Sequence, residues 1–298
     1  MNISKINKII YICNHASFFL SHRHNLASFC KEKKIQFDLL IGQSASIELE
    51  RKSLDKLNEL NILFRLFNFH TSKTNIFNDF FALFNIFKYI KKQNPTIVHA
   101  ISNKPIIFSI IISFFCKANF VLSFSGFGYL YSNDNNKFKK IIFEKIIKIF
   151  LNERCNFIVQ NTRDYNYLIK SYHVKKKNLY LIKGSGIDLS LYNLNVNFID
   201  NNIVLFPSRP LISKGIIEFC EAAELLKKKY LNWRFVVVGD FNYESPDMIS
   251  NDRLKKYTDN KKIEFWGFKE DMLDVYKLAK IVCLPSYREG FPKILIEA

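Results

Sequence analysis

Short apolar runs bounded by polar or turn residues alternate along this chain with longer stretches in which apolar side chains recur every three or four positions. The runs Lys8–Cys13, Phe37–Ile41, Ile97–Ala100, Phe120–Phe124, Phe157–Gln160 and Leu179–Ile182 predict strands, and the periodic stretches between most of them predict helices. A polar, Asn-rich segment around Tyr192 to Asn202 closes this series. A second one follows with strands at Ile203–Pro207, Phe235–Val238, Ile263–Trp266 and Ile281–Leu284, again separated by helical patterns. Runs such as Phe235-Val-Val-Val238 show no polar alternation, which suits parallel strands covered on both faces. The repeated strand-then-helix order predicts an α/β protein of two doubly wound domains, residues 1–190 and 191–298. No repeat at a solenoid period is present.

Composition changes this picture little. At 298 residues, 48% hydrophobic and 24% charged, the chain has the length and apolar content for two cores. Its 44 basic and 27 acidic residues give a formal charge of +17, which favours anionic partners such as nucleotide diphosphates or a phospholipid surface. The joint abundance of Lys, Asn, Ile and Phe offers a compositional explanation of the same charge. Nucleic acid is not an expected partner, because no binding module or aromatic-basic interleaving is present. Six scattered cysteines, Cys13, Cys30, Cys116, Cys155, Cys220 and Cys283, have no metal-ligand spacing and read as reduced core residues. The run Ile9–Cys13 is too short for a signal-peptide core, and Pro105–Cys116 falls below the roughly 20 residues of a membrane span. A cytoplasmic location is expected.

Candidate chemistry gathers in the second series. In Ser286-Tyr-Arg-Glu-Gly-Phe-Pro-Lys-Ile-Leu-Ile-Glu297, Gly290 can take a positive φ and Pro292 suits a first helical position. Glu289 is thus expected in a loop and Glu297 about two turns into a helix, with both carboxylates facing one cleft at the carboxyl end of a sheet. Backbone N–H groups at that helix start would take up a phosphate or a sugar hydroxyl. Upstream, the strand from Ile203 runs into Arg209, and Lys214-Gly215 opens the helix Ile216 to Tyr230. A guanidinium and an ammonium beside a helix amino terminus suit a nucleotide diphosphate, although taken alone they read equally as solvated loop charges. Gly239 and Gly267 end two further strands, where a glycine is ordinarily a tight turn. His15 and His22 are the general-base candidates of the first series, with a packing role the commoner fate of such residues.

Glu289-Gly-Phe-Pro followed by an apolar helix and Glu297 resembles the E-x7-E signature of retaining family 4 glycosyltransferases, which have GT-B architecture. Arg209 to Gly215 is similar to that family's G-R-x4-K-G motif, with Ser208 where glycine is usual. The strands ending Gly239-Asp240 and Gly267-Phe268 match the same template in the same order. Ser17-Phe-Phe-Leu-Ser-His-Arg23 resembles the amino-terminal motif of surface-polysaccharide members. His99-x4-Lys104-Pro105 and the segment Ser123 to Tyr131 resemble motifs of members that extend lipid-linked bacterial glycans.

The resemblance implies two Rossmann-like domains facing a cleft, the carboxyl-terminal one incomplete. It implies transfer of a hexose or N-acetylhexosamine from a nucleotide diphosphate sugar, a UDP-sugar, to a polyprenyl-diphosphate glycan, with no metal and no cofactor. Arg209 and Lys214 would stabilise the leaving diphosphate and Glu289 would contact the transferred sugar. Gly290 and Phe291 would offer backbone N–H groups, Glu297 would accept the ribose hydroxyls, and Gly239 and Gly267 would line the donor site. Ser17, Ser125 and Gly126 would lie on the acceptor side. Many members carry a histidine near Ser125 or Gly126, so the residue that touches the donor sugar is left open.

Rival readings remain at this level. A paired-carboxylate glycosidase would have no use for the two cations. Family members continue beyond the position of Glu297, so the chain also reads as a truncated fragment that at most binds nucleotide sugar or membrane. The basic, apolar stretches Phe77–Ile90 and Lys137–Glu153 either bury a face on their own sheet or lie in a membrane interface. Acceptors that stay in the bilayer imply peripheral contact with the inner membrane face.

Overall fold

The computed structural model describes residues 5–44, 46–70, 75–126, 137–189, 201–241, 245, 247–259, 262–287 and 289–298, with the side chains of 137–140, 251 and 258 outside the description. The chain divides into two compact units, residues 1–185 and 186–298.

The first unit is built on a seven-stranded parallel sheet: β1 Lys8–Cys13, β2 Gln36–Gln43, β3 Phe64–His70, β4 Ile97–Ile101, β5 Asn119–Phe124, β6 Cys155–Val159 and β7 Leu179–Leu181. Their order is β3-β2-β1-β4-β5-β6-β7, so the winding reverses between β1 and β4. Because alternate strand residues point to opposite faces, Tyr11, Cys13, Leu39 and Ile41 pack with α1 Ala16–His22, α2 His24–Glu32 and α3 Ile47–Glu59. Ile10, Ile12, Leu40 and Val98 pack on the other side with α4 Ile76–Gln93, α5 Asn103–Ser113, α6 Lys137–Phe150 and α7 Thr162–Tyr172. The helical stretch after β1 is broken at Arg23, whose φ of −143° separates α1 from α2. Strand β3 escaped the sequence reading because Arg65 and Asn68 interrupt it and only Phe69 among its residues is buried, as an edge strand permits.

At the amino ends of β1 and β2, Lys8 pairs with Asp38 at 2.7 Å, and Tyr89 donates to the same carboxylate at 2.7 Å. Beyond them, His99 of β4 lies against the Tyr11 ring, with centroids 4.8 Å apart and Nε2 2.7 Å from Ser123 Oγ. Desolvation, with the Arg23 charge adding to it, pushes its pKa from 6.5 down to about 3. The unfolded chain therefore takes up a proton that the folded chain refuses, so this stability is complete above about pH 6.5 and is lost as pH falls towards 3. Part of the side chain reaches solvent, which reduces the effect to about 1–2 kcal/mol between about pH 7 and pH 5. Urea titrations of the wild type and His99→Gln across that range should show a shallower pH slope in the variant.

The second unit has four parallel strands, β8 Ile203–Phe206, β9 Arg234–Val238, β10 Ile263–Gly267 and β11 Ile281–Val282, in the order β10-β9-β8-β11. Phe206, Phe235 and Val237 pack with α8 Ile216–Lys227 and with Tyr257 of α9 Asn251–Asp259. Leu205, Val236 and Val238 pack with Val275 and Tyr276 of α10 Met272–Leu278 and with Ile294 of α11 Lys293–Glu297. Strand β11 stops at Val282 rather than at Leu284, and α8 ends at Lys227 rather than at Tyr230. All six cysteines are free, four of them buried. Among the described residues no helix is long and apolar enough to cross a membrane.

Candidate functional site

The best-defined constellation lies at the carboxyl ends of β8 and β11. After β8, Pro207 and Ser208 are buried, Arg209 is half-buried, and residues Ile212–Lys214 form a 3-10 turn. Asp247 fixes this turn from a neighbouring loop: its carboxylate accepts from the Ser213 backbone N–H at 3.3 Å and from the Ser213 hydroxyl, and its carbonyl accepts from the Ile212 N–H at 2.8 Å. The turn closes on Gly215 at φ 79°, a left-handed conformation that glycine reaches without strain. A Cβ built there would lie 2.7 Å from the Pro285 carbonyl carbon and 2.8 Å from its Cγ, so only glycine lets the loop after β11 pack against this turn.

That packing places Lys214 beside Glu289, 75 residues later. Lys214 Nζ lies 2.5 Å from Glu289 Oε1, and Ser286 Oγ donates to the same oxygen at 2.7 Å. The two charged side chains are 25% and 23% exposed, screened enough to hold a geometry and open enough to meet a solute. Two further contacts lock the loop, Tyr287 N–H to the Ser213 carbonyl at 3.1 Å and Tyr287 hydroxyl to Glu218.

Gly239 supports the Arg209 side of the site. A Cβ at Gly239 would come within 2.7 Å of the Ser208 carbonyl carbon and 2.8 Å of the Arg209 nitrogen. Its own N–H donates to the Gly267 carbonyl at 2.9 Å. Gly267, at φ 71°, stands where the β9–β10 register shifts. The pair therefore shapes the floor under the Arg209 loop, and the close approach that makes glycine necessary lies at 239, opposite Ser208.

Glu297 has other partners. It is the fifth residue of α11, just over one turn in, because Pro292 sits at the cap rather than at the first helical position. Its carboxylate accepts from Tyr276 hydroxyl at 3.2 Å and pairs with Lys293 at 3.1 Å. Gly290 is not among the described residues with left-handed φ, and Phe291 beside it is exposed. The left-handed glycine of this site is Gly215, at the start of α8.

In the first unit the α1 start is organised by His15. Its Nδ1 accepts from the Phe18 N–H at 3.2 Å and lies 2.7 Å from Ser17 Oγ, so helix capping already engages this ring and Ser17. His22 stacks on Phe18 at 4.6 Å and meets Ser21 Oγ at 2.6 Å. Gly42 was not anticipated: a Cβ there would lie 2.6 Å from the Phe69 carbonyl oxygen and 2.7 Å from that of Asn14, which follows β1. Along the 99–105 motif, His99 turns into the sheet while Lys104 pairs with Asp79 at 2.8 Å. Ser125 is exposed and Gly126 has φ 135°; Phe127, Gly128 and Tyr131 lie outside the described residues.

Sequence reasoning missed Asp247 and Pro285, which carry no spacing signal and act through tertiary contact, and Ser286, whose hydroxyl meets Glu289 three residues on. What the second-unit site offers is a lysine and an arginine at strand ends, with one carboxylate held against the lysine. Such a pair suits an anionic group next to a hydroxylated one. Among the described residues no cluster of His, Cys, Asp and Glu could hold a metal ion.

A family model described as "Glycosyl transferase 4-like" matches residues 8–161, and one described as "Glycosyl transferases group 1" matches residues 195–298. The chain is 24% identical, over 96% of its length and 76% of the relative's, to the N,N'-diacetylbacillosaminyl-diphospho-undecaprenol alpha-1,3-N-acetylgalactosaminyltransferase of Campylobacter jejuni. It is 25% identical, over 88% of its length and 71% of the relative's, to the UDP-Gal:alpha-D-GlcNAc-diphosphoundecaprenol alpha-1,3-galactosyltransferase of Escherichia coli. Among solved structures, Anabaena Alr3699/HepE in complex with UDP-glucose superposes with a TM-score of 0.73 at 15% identity, covering 98% of this chain and 77% of the other. That likeness is one of fold.

Proposed function

This chain belongs to the glycosyltransferase 4-like family, and from that premise we propose that it moves a hexose or N-acetylhexosamine from a UDP-sugar to a polyprenyl-diphosphate-linked glycan, with the anomeric configuration retained. The observation that carries the reading is the contact of Lys214 with Glu289, which brings a phosphate-type cation and a sugar-type carboxylate to one point from motifs 75 residues apart. The relatives named above support the acceptor class, since both act, by name, on glycans attached to diphosphoundecaprenol.

In this mechanism the bond from the anomeric carbon to the diphosphate oxygen breaks while an acceptor hydroxyl oxygen bonds to that carbon on the same face and gives its proton to the leaving diphosphate, on which negative charge grows. Arg209 and Lys214 stabilise that charge, the lysine exchanging Glu289 for a phosphate oxygen. Glu289, oriented by Ser286, then accepts from a hydroxyl of the transferred sugar. Gly290 and Phe291 present backbone N–H groups, and Glu297, held by Tyr276, accepts from the ribose. Gly239 and Gly267 act by shaping the donor side. The first unit takes the acceptor, with Ser17, Ser125 and Gly126 on its side, and the enzyme works without metal or cofactor as a peripheral protein of the cytoplasmic membrane face. A glycosidase is disfavoured because it would have no use for the cations Arg209 and Lys214.

The test is incubation of the chain with a panel of UDP-sugars and a polyprenyl-diphosphate oligosaccharide, with the product read by mass and by anomeric NMR. One UDP-sugar is expected to extend the acceptor with an α-linkage. No transfer and no UDP binding from any donor would overturn the proposal.

A further inference from the structure

The largest unexplained surface belongs to the first unit. Along α4, residues 77, 81, 84, 88 and 91 follow helical spacing on the exposed side, and they read Phe, Phe, Phe, Lys, Lys. Phe77, Phe80 and Phe81 are 78%, 63% and 61% exposed, far more than aromatic side chains with a core to join. The buried residues of this helix, Ala82, Ile86 and Ile90, already meet the sheet, so the aromatic stripe has no part in the core.

The stripe does not stand alone. Phe87 packs edge-on against Phe115 beyond α5, and the adjoining Phe114 packs against Phe150 of α6, so the three helices form one surface. Phe114 and Phe115 are exposed on it, as are Ile141, Ile142 and Ile149 of α6. Between α4 and α5 lies a groove of about 190 Å3 lined only by apolar side chains. On the other flank of α4, a groove of about 460 Å3 carries Arg65, Lys88 and Lys92 and no carboxylate. Lys88 and Lys91 lie over the Phe84 and Phe87 rings, which holds the cations at the border of the aromatic patch.

We infer that this α4–α5–α6 face is where the protein docks on an anionic phospholipid bilayer, with Phe77, Phe80, Phe81 and Phe84 entering the acyl boundary and Arg65, Lys88, Lys91 and Lys92 meeting headgroup phosphates. The inference rests on the lipid-linked acceptor reading only in so far as that reading brings the enzyme to a bilayer. Aromatic side chains backed by basic ones are the arrangement that gains from both the interface and its negative potential. A second copy of the chain would set the same cations face to face, so charge complementarity selects the lipid surface. The sequence singled out α6 equally, yet α4 supplies the continuous aromatic stripe.

The experiment is flotation of the full chain with vesicles of phosphatidylcholine alone and with about 30% phosphatidylglycerol. The wild type is expected to float with the anionic vesicles and hardly with the neutral ones. Reversal of Lys88, Lys91 and Lys92 to Glu should weaken partition on the order of a hundredfold, and Phe77→Ser with Phe81→Ser and Phe84→Ser at least about tenfold. The same charge change at Lys31, Lys33 and Lys34, beside α2 on the opposite side of the sheet, should cost less than about threefold. Equal losses from both lysine sets, no binding to anionic vesicles, or a wild-type dimer abolished by the Phe triple would each overturn the inference. Should a triple variant misfold, Phe81→Trp serves instead: its emission should move to the blue on anionic vesicles, and no shift would overturn the assignment. Flotation does not require turnover, so an active enzyme that fails to float sinks this inference alone, whereas a floating protein without transferase activity sinks the functional reading alone.

Discussion

Lys214→Ala is expected to lower kcat/KM for sugar transfer by about a hundred- to a thousandfold, the range found when one preorganised charge-stabilising donor is removed. The expectation follows from where this cation is kept. It holds Glu289 at 2.5 Å, and both side chains sit about three-quarters covered, where charge interactions are less screened than at the surface. On the proposed mechanism a diphosphate offers Lys214 more negative charge than one carboxylate, so donor binding would draw the ammonium away and free Glu289 for the sugar. Stability and rate should therefore separate. A partly exposed pair contributes about 1 kcal/mol or less to folding, so the melting temperature should move little while the rate collapses. Glu289→Ala is expected to lower the rate as strongly, and the double variant should lose less than the two losses multiplied, because the residues act as one unit. Initial rates over a range of UDP-sugar concentrations decide the matter. A Lys214→Ala enzyme within about threefold of wild type would remove the lysine from the mechanism.

Gly215→Ala should be the most damaging small substitution in the second unit, costing about 2–5 kcal/mol of its stability from left-handed strain and overpacking together. At φ 79° a Cβ is strained, and here it also meets the Pro285 backbone, which cannot move without displacing the Ser286–Glu289 loop. Gly267→Ala separates the two causes. Gly267 has nearly the same φ, 71°, but open space where a Cβ would go, so it should lose only about 1–2 kcal/mol. Urea unfolding can be followed through Trp233 and Trp266, both of which belong to this unit. Equal losses at the two glycines would mean that the Pro285 contact is not tight in solution. The same variant should also reduce transfer, since the displaced loop carries Glu289 away from Lys214.

The two predictions draw on different layers of information. Strand runs such as Phe235-Val-Val-Val238 were legible from the chain because a strand buried on both faces has no polar position to hide it. Edge strand β3 was not, since an exposed edge tolerates Arg65 and Asn68 and so breaks the apolar signal. Arg209, Lys214 and Glu289 were legible because local spacing places each at a strand end. Asp247 was not, for nothing nearby in the chain marks a residue whose partner is dozens of positions away. The positive φ expected at Gly290 was assigned by local propensity and is not adopted there, whereas the need for glycine at 215 comes from its contact with the distant Pro285.

By itself, then, the order of apolar runs determined two parallel α/β units, and the spacing of charged residues placed Arg209, Lys214 and Glu289 near strand ends of the second. Only the tertiary structure decided that Lys214 holds Glu289 while Glu297 is claimed by Tyr276 and Lys293, that Gly239 shapes a floor instead of offering its N–H, and that the α4 aromatics face outward. The physical reason is range. Periodicity and turn preference are set by a residue and its near neighbours, whereas the partner of a buried charge, the space beside a glycine and the exposure of a helix face are set by chain that is distant in sequence and arrives only on folding.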